Sequence, residues 1–462
     1  MIRRDVKNFS WAPIFMAFAF FCISVVNTWT PFYEWHDQQR SAQVFFLFLA
    51  SGMAIFYRHA VMSRLGVFLT LGVFFLGIIS SVFSSLPAWA LREWSVFSGC
   101  VLLALVVAGF CRGYKIAYVL LYAMAAVASV LAAQFFMSYL MAFVTGIRML
   151  HMDVLFTGFS NPRFLGQFQM LAMPILAFLA SRYFEGRRVF LLVFFIVLAM
   201  TWCISYSLGG RGLWLALFFS HILLMLAAGK FWRIIFIQLL ASVVGALLFS
   251  MMFFLIPAWL GIEPVLYDGL RTGLSAREVL WQAAWAMSLS NFWLGAGPMH
   301  FAALHNDIAA HPHQIILQLM AEWGVPATIL VIILIYRGLL SGTRFLRQPE
   351  GSELDASLWV AIVGALILAQ VDGVFVMPYT QTWLAILVGI AISRWSTEPT
   401  YVPGWHVSRV MLALPSAVLL AAILIFDVPQ LPFVQQHYLQ EHSTGWKPRF
   451  WQQGWIPMPM SW

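Results

Sequence analysis

Two histidines bracket a proline in His311-Pro312-His313, directly before an apolar stretch, 314–323, that Gly324 closes. A histidine titrates near operating pH and can take a proton from an incoming hydroxyl. Two arginines stand at comparable places. Arg211 follows Gly209-Gly210 and opens the run GLWLALFF, and Arg277 lies in SAREVLWQAAWAMSLS. A helix N-terminus presents free N–H groups and a partial positive charge, so a guanidinium there completes an anion site suited to phosphate. Two arginines together suit a diphosphate leaving group. Each residue also has a plainer explanation: an arginine snorkelling at a helix end, an arginine solvated on an amphipathic helix, a histidine bonded at an interface. At 100° per residue Glu322 falls opposite His313, which leaves Asp307 or Asp372 to orient that ring. His311 and His313 with Asp307 make an incomplete zinc set, and the loops that share their side hold no D-x-D or E-x-D, so no metal or other cofactor is expected.

The elements that must position these residues are membrane helices. The chain of 462 residues is 62% hydrophobic and 10% charged, with mean hydropathy +0.85. Soluble domains are nearer half apolar and a quarter charged. Roughly thirteen apolar runs are long enough to count as spans: near 11–29, 42–57, 66–84, 95–111, 116–140, 166–182, 189–207, 212–229, 234–256, 325–342, 357–376, 379–393 and 408–426. The first run lacks a small-residue cleavage site and is expected to be retained. The expectation is an all-α polytopic protein, residues 1–462 forming one integral membrane domain.

Charge orients it. The net charge of +8 reflects membrane topology and implies no nucleic-acid partner, because the basic residues cluster in alternate loops. With the basic N-terminus MIRRDVK inside, about 17 Lys and Arg lie inside and about 9 outside. The four cysteines (Cys22, Cys100, Cys111, Cys203) fall in or at the ends of apolar runs, with no disulfide framework or CxxC pattern. Outside then lie the loop 141–165, the turn SLGGRG, the segment 257–324 and the tail 427–462. The segment 257–324 holds His300, His305, His311 and His313. Within it Ser275 and Glu278 make an S-x-x-E capping pattern, and the apolar spacing that follows predicts a helix on the outer membrane surface. Three helix starts thus converge on one side, two with arginine and one with histidine. That is the chemistry of a transferase acting on a lipid-linked diphosphate.

The pattern resembles the bacterial O-antigen ligase/polymerase superfamily of membrane glycosyltransferases, which includes the protein O-oligosaccharyltransferases. SLGGRGLW is similar to the family's arginine at an outer helix end, SAREVLWQAAWAMSLSNFWLGAGPMHF to its R–W–P/LG-x-G-x-x-F block, and HPHQIILQLMAEWG to its H-[N/S/Q]-x9-G motif. GFSNPRFLGQFQMLAMP is similar to an Asn-containing stretch before a helix. The likeness runs over about residues 158–330 together with the overall hydropathy. Two departures stand out. Gln314 replaces the common Asn, and Leu280 follows Arg277 one residue earlier than in one family version, which keeps Arg271 as a second candidate.

The resemblance implies a GT-C-like fold of about 13 transmembrane helices with a periplasmic helical loop, in the bacterial inner membrane. It implies a metal-independent transfer of a preassembled glycan, en bloc, from an undecaprenyl-diphosphate carrier to an acceptor hydroxyl. Carried over by residue, Arg211 and Arg277 hold the diphosphate and His313 is the base. Arg271, Arg163, Gln314 and His311 are supporting substrate-binding groups. By family analogy the aromatic tail 427–462 favours a protein acceptor, a pilin-type Ser or Thr. Lipid A–core, as for an O-antigen ligase, is the close alternative, and a growing glycan, as for a polymerase, the next. Membrane lipid is the remaining partner. A lipid-linked glycan transporter is the reading of a different class. It calls for inverted repeats and charges within the bilayer, and the sequence has neither feature.

Overall fold

The computed structural model describes residues 12–29, 33–56, 62–113, 115–146, 148–265, 276–396, 405–441 and 446–458. The chain enters as α1 (Ala12–Ile23), α2 (Trp35–Phe56), α3 (Arg64–Phe83), α4 (Pro87–Phe110) and α5 (Lys115–Val144). The middle holds α6 (Pro162–Arg182), α7 (Arg188–Ser207), α8 (Arg211–Ala228), α9 (Trp232–Ser250), the short α10 (Ile256–Leu260), α11 (Arg277–Ser290) and α12 (Ile315–Trp323). Then follow α13 (Val325–Arg347), α14 (Glu353–Leu368), α15 (Pro378–Trp395), α16 (Trp405–Ala422) and α17 (Leu431–Glu441).

Every apolar run read from the sequence overlaps a helix, but the run 11–29 outlasts α1, which ends at Ile23, and the run 357–376 outlasts α14, which ends at Leu368. Among the described residues 8 helical stretches are long and apolar enough to cross a membrane. They are α3 to α7, α13, the stretch Arg211–Leu260 that contains α8 and α9 around the turn Gly229–Phe231, and the stretch Val407–Tyr438. The other runs lie on α1, α2, α14 and α15, which are shorter or more polar. The chain is a polytopic membrane protein. Among the described residues it is all-α apart from a two-stranded parallel ladder, β1 (Met149–His151) with β2 (Glu263–Val265), that pairs Met149 with Glu263 and ties the loop after α5 to the segment after α10.

The core sits around α6. From Gln167 to Ser181 every α6 residue is buried, as are Leu354 to Ala365 of α14 and Pro378 to Leu387 of α15. Outer helices turn large apolar side chains outward, among them Phe68, Met137, Phe218, Leu239 and Met411. Such a surface is stable in hydrocarbon, where backbone polar groups are satisfied within each helix. The start of α2 departs from what hydropathy predicts. The helix begins at Trp35, ahead of its apolar run, and buries His36, Asp37, Gln38, Gln39, Arg40 and Gln43.

Local chemistry sets the helix ends. Asn161 caps α6, its Oδ1 accepting from the Arg163 N–H at 2.9 Å, and Pro162 follows at the first helical position, where its missing N–H costs nothing. Ser352 and Asp355 form a capping box on α14, and Arg394 clamps Asp355 with two donors. That clamp lies at the end of the bundle away from the Asn161 cap.

Candidate active site

Three helices carry an arginine in the first turn at one end of the bundle. Arg211 is the first residue of α8, after a turn in which Gly209 takes a positive φ of 66° and the Gly210 N–H bonds the Ser205 carbonyl at 3.1 Å. Trp214 steadies this turn by donating its ring N–H to the Ser205 hydroxyl at 2.8 Å. Arg277 is the first residue of α11. Its N-cap is Ala276 in a left-handed conformation, while Arg271 and Ser275 lie outside the described residues. Arg163 sits in the capped first turn of α6. The sequence flagged Arg163 only as a supporting group, yet it shares the geometry of the other two.

The three are electrostatically coupled. Burial, and then Arg163 and Arg211, hold Arg277 below the ordinary arginine value, while Asp372 and Glu278 act against that shift. An anion placed among these guanidiniums relieves their repulsion.

The histidines come to the same place. α12 starts at Ile315, because Gln314 is the N-cap and its side-chain carbonyl accepts from the Leu317 N–H. His313 therefore stands just before the helix, at φ 55°, a left-handed conformation uncommon outside glycine. The loop between α14 and α15 brackets it. The Ile315 N–H donates to the Ala369 carbonyl at 3.0 Å, and the Gln314 amide donates to Gln370 at 3.1 Å. On the other side the Trp281 ring N–H of α11 donates to the Pro312 carbonyl at 3.1 Å.

Asp372, from that loop, is the carboxylate that faces His313. Its Oδ1 lies 3.7 Å from His313 Nδ1, an ion-pair distance too long for a hydrogen bond. The same oxygen accepts from the Gln167 amide at 3.0 Å and the Gly373 N–H at 2.7 Å. Burial pushes this carboxyl up, but His313, the Gly373 N–H and Arg163 outweigh burial and hold it below its ordinary value. Of the two orienting candidates the structure selects Asp372. Glu322 points elsewhere, as its wheel position requires, and accepts from the Phe301 N–H at 3.0 Å.

His311 stacks obliquely on His313, ring centroids 4.1 Å apart. Burial first, then His313, Arg449, His36 and Arg163, push it well below its ordinary value, so it is neutral. Neither ring nitrogen of His311 finds a hydrogen-bond partner among the described residues. A Cβ at Gly373 would come within 2.5 Å of His311 Nε2, which explains the glycine after Asp372. Among the described residues no group of three His, Cys, Asp or Glu side chains is placed to hold a metal.

Glycines lock α12 in place. The Ala296 and Gly297 N–H groups donate to the carbonyls of Ala321 and Glu322 at 2.8 and 3.1 Å, and Val325 N–H donates to Phe292 carbonyl at 2.9 Å. Gly324 has φ 83° and ψ 161°, and a Cβ there would meet the Trp293 carbonyl oxygen at 2.5 Å. Beside it Trp323 packs edge-on against Phe74 and Phe97. The LGAG stretch and Gly324 are thus two halves of one backbone contact that fixes the helix following His313.

Residues 193–332 match the family model described as O-antigen ligase. This stretch is an O-antigen ligase family domain. It runs from α7 into α13 and contains Arg211, Arg277, His311, His313, Gln314 and Gly324. The family implies an O-antigen ligase-type transferase, with a lipid-linked glycan donor and an acceptor. No curated protein matches the chain.

The O-antigen ligase domain does not hold the whole cluster. Arg163 and Gln167 of α6 and Asp372 lie outside it in sequence and join it only in the fold. The other two loop histidines do not join. His300 Nε2 accepts from the Leu86 N–H at 3.0 Å, and His305 bonds the Ile456 carbonyl and stacks on Trp455. Gln167 escaped sequence analysis, although it sits four residues after Arg163 and so on the same face of α6. Its buried amide inside an apolar run was the available signal.

Proposed function

We propose that this protein moves a preassembled glycan en bloc from an undecaprenyl-diphosphate carrier to an acceptor hydroxyl at the periplasmic face of the bacterial inner membrane. The observation that carries this reading is the convergence of Arg163, Arg211 and Arg277, at three helix N-termini, on the His313–Asp372 pair. On this reading the chain crosses the membrane about thirteen times as a single domain. Segment 257–324 and tail 427–462 lie outside.

The chemistry follows from the charges. The donor diphosphate sits among the arginines, whose forked donors suit two phosphate groups. His313 takes the proton of the acceptor hydroxyl through Nε2, and Asp372 faces the opposite nitrogen and stabilises the imidazolium. The acceptor oxygen bonds the anomeric carbon as the bond from that carbon to the phosphate oxygen breaks. The electron pair leaves with undecaprenyl diphosphate, where arginine donors stabilise the added charge. The proton then passes from His313 to water. Gln314 spends its side chain on capping α12, and its amide N–H on Gln370, so it shapes the His313 loop. Arg271 remains a supporting candidate for the phosphate.

A pilin-type protein Ser or Thr is the acceptor favoured here, by family analogy. Lipid A–core is the competing acceptor. Purified protein is incubated with lipid-linked oligosaccharide and either pilin or lipid A–core, and products are weighed by mass spectrometry. The expected product is glycosylated pilin, and His313→Ala lowers its rate at least about a thousand-fold. Product on lipid A–core alone reassigns the acceptor. No product from either acceptor, or full activity in His313→Ala, refutes the mechanism.

A further inference from the structure

The C-terminal segment 446–458 is threaded through the protein beside the site. Arg449 is fully buried, with a side-chain exposure of 0%. Its Nη2 reaches two carboxylates, Glu93 of α4 at 2.5 Å and Glu322 of α12 at 2.7 Å. Its backbone carbonyl bonds the polar start of α2, at 3.2 Å from His36 Nε2 and 3.2 Å from Arg40 Nη2. The next carbonyl, of Phe450, takes His36 Nε2 and Arg40 Nε, and the Gln452 N–H donates to Asp37 at 2.6 Å. These partners explain why α2 begins with buried charge.

The segment also grips the histidine loop. His305 bonds the Ile456 carbonyl at 2.9 Å and stacks on Trp455, and a Cβ at Gly454 would touch the Ala310 side chain at 3.2 Å. Residues 305–310 are therefore held from the strap, and α12 is held from Arg449 through Glu322. His313 lies between these two attachments. Glu322 also fixes the Phe301 N–H, so one buried arginine joins α4, the GPMHF turn and α12.

Resting on the proposed role of His313, we infer that segment 446–458 is a strap of the transfer site, and that Arg449 is a positioning residue which, through Glu322, holds α12 and so sets His313 against Asp372. Arg449 need not contact substrate. Its removal displaces the base while the arginines at the starts of α6, α8 and α11 stay in place.

The test uses full-length protein with Arg449→Met and Arg449→Lys. Expected for Arg449→Met is a loss of kcat of at least about ten-fold, since ångström misplacement of a catalytic group is that damaging, with donor KM within about two-fold. His313 is expected to react several-fold faster with diethyl pyrocarbonate, read by peptide mass, and Arg449→Lys to recover part of both effects. Glu322→Gln should give the same signs at smaller size, and decides the matter if Arg449→Met does not fold. Folded Arg449→Met with unchanged kcat and unchanged His313 labelling overturns the inference. So does a loss confined to donor KM, or a fall in thermal stability with turnover and labelling intact. Full transfer by His313→Ala would remove the base assignment instead, and the labelling of His313 would still decide the strap.

Discussion

Asp372→Asn tests the proposed catalytic pair with little change of shape. The amide keeps an oxygen for the Gln167 and Gly373 donors and loses only the charge. The side chains of His313 and Asp372 are 13% and 10% exposed, so solvent screens their interaction weakly. At 3.7 Å and an effective dielectric of about 20, an imidazolium–carboxylate attraction is about 4 kcal/mol. On the proposed base role, His313 gains its positive charge as it takes the acceptor proton, so this attraction is realised in the transition state and not in the ground state. At about 1.4 kcal/mol per decade the ceiling is roughly a thousand-fold in kcat, and the expected loss is about a hundred- to a thousand-fold. Asp372 also offsets the charge of Arg277 and Arg163. Its removal should leave donor KM unchanged or lower it. The assay is steady-state transfer from lipid-linked oligosaccharide, varying donor at saturating acceptor. Wild-type kcat in Asp372→Asn, or a loss entirely in donor KM, would refute the argument that this carboxylate stabilises the protonated base.

Two further outcomes follow from the geometry around that pair. Gly324→Ala forces a side chain into a backbone conformation that is essentially glycine's own, and against the Trp293 carbonyl, which together should cost about 3 kcal/mol or more; thermal unfolding in detergent should show a clear drop, and an unchanged midpoint would show that the lock can yield. His311 is held well below 6.5 by burial and its cationic neighbours, so its contribution is complete above 6.5, where both states are neutral. Below that pH the unfolded chain binds a proton the folded one refuses, and stability falls by up to about 1.4 kcal/mol per pH unit. The stability difference between wild type and His311→Gln should therefore shift between pH 7 and pH 5.5 in favour of the variant, and a pH-independent difference would contradict the burial of a neutral ring.

The sequence by itself determined the membrane class, the approximate position of the apolar helices and the three motif stretches, because hydropathy, glycine punctuation and helix-start chemistry are local properties. Arg211 is the first residue of a helix, as its glycine neighbourhood predicted, and Arg277 falls in a first turn as expected, although Ala276 and not Ser275 is the N-cap there. Local pattern also placed Glu322 away from His313. What it could not supply was the partner of each polar group, since that depends on which helix ends meet across hundreds of residues. Asp372 was one of two equal candidates until the loop after α14 was seen against His313, and Gln167 looked like an ordinary interruption of an apolar run. The start of α2 lay below the hydropathy threshold because its residues are polar, and it is buried because the C-terminal segment, 446–458, packs there from the far end of the chain and supplies their partners. That segment read as an aromatic tail and is a buried strap. A buried charge is stable only beside its counter-charge, and only the tertiary structure brought Arg449 to Glu93 and Glu322.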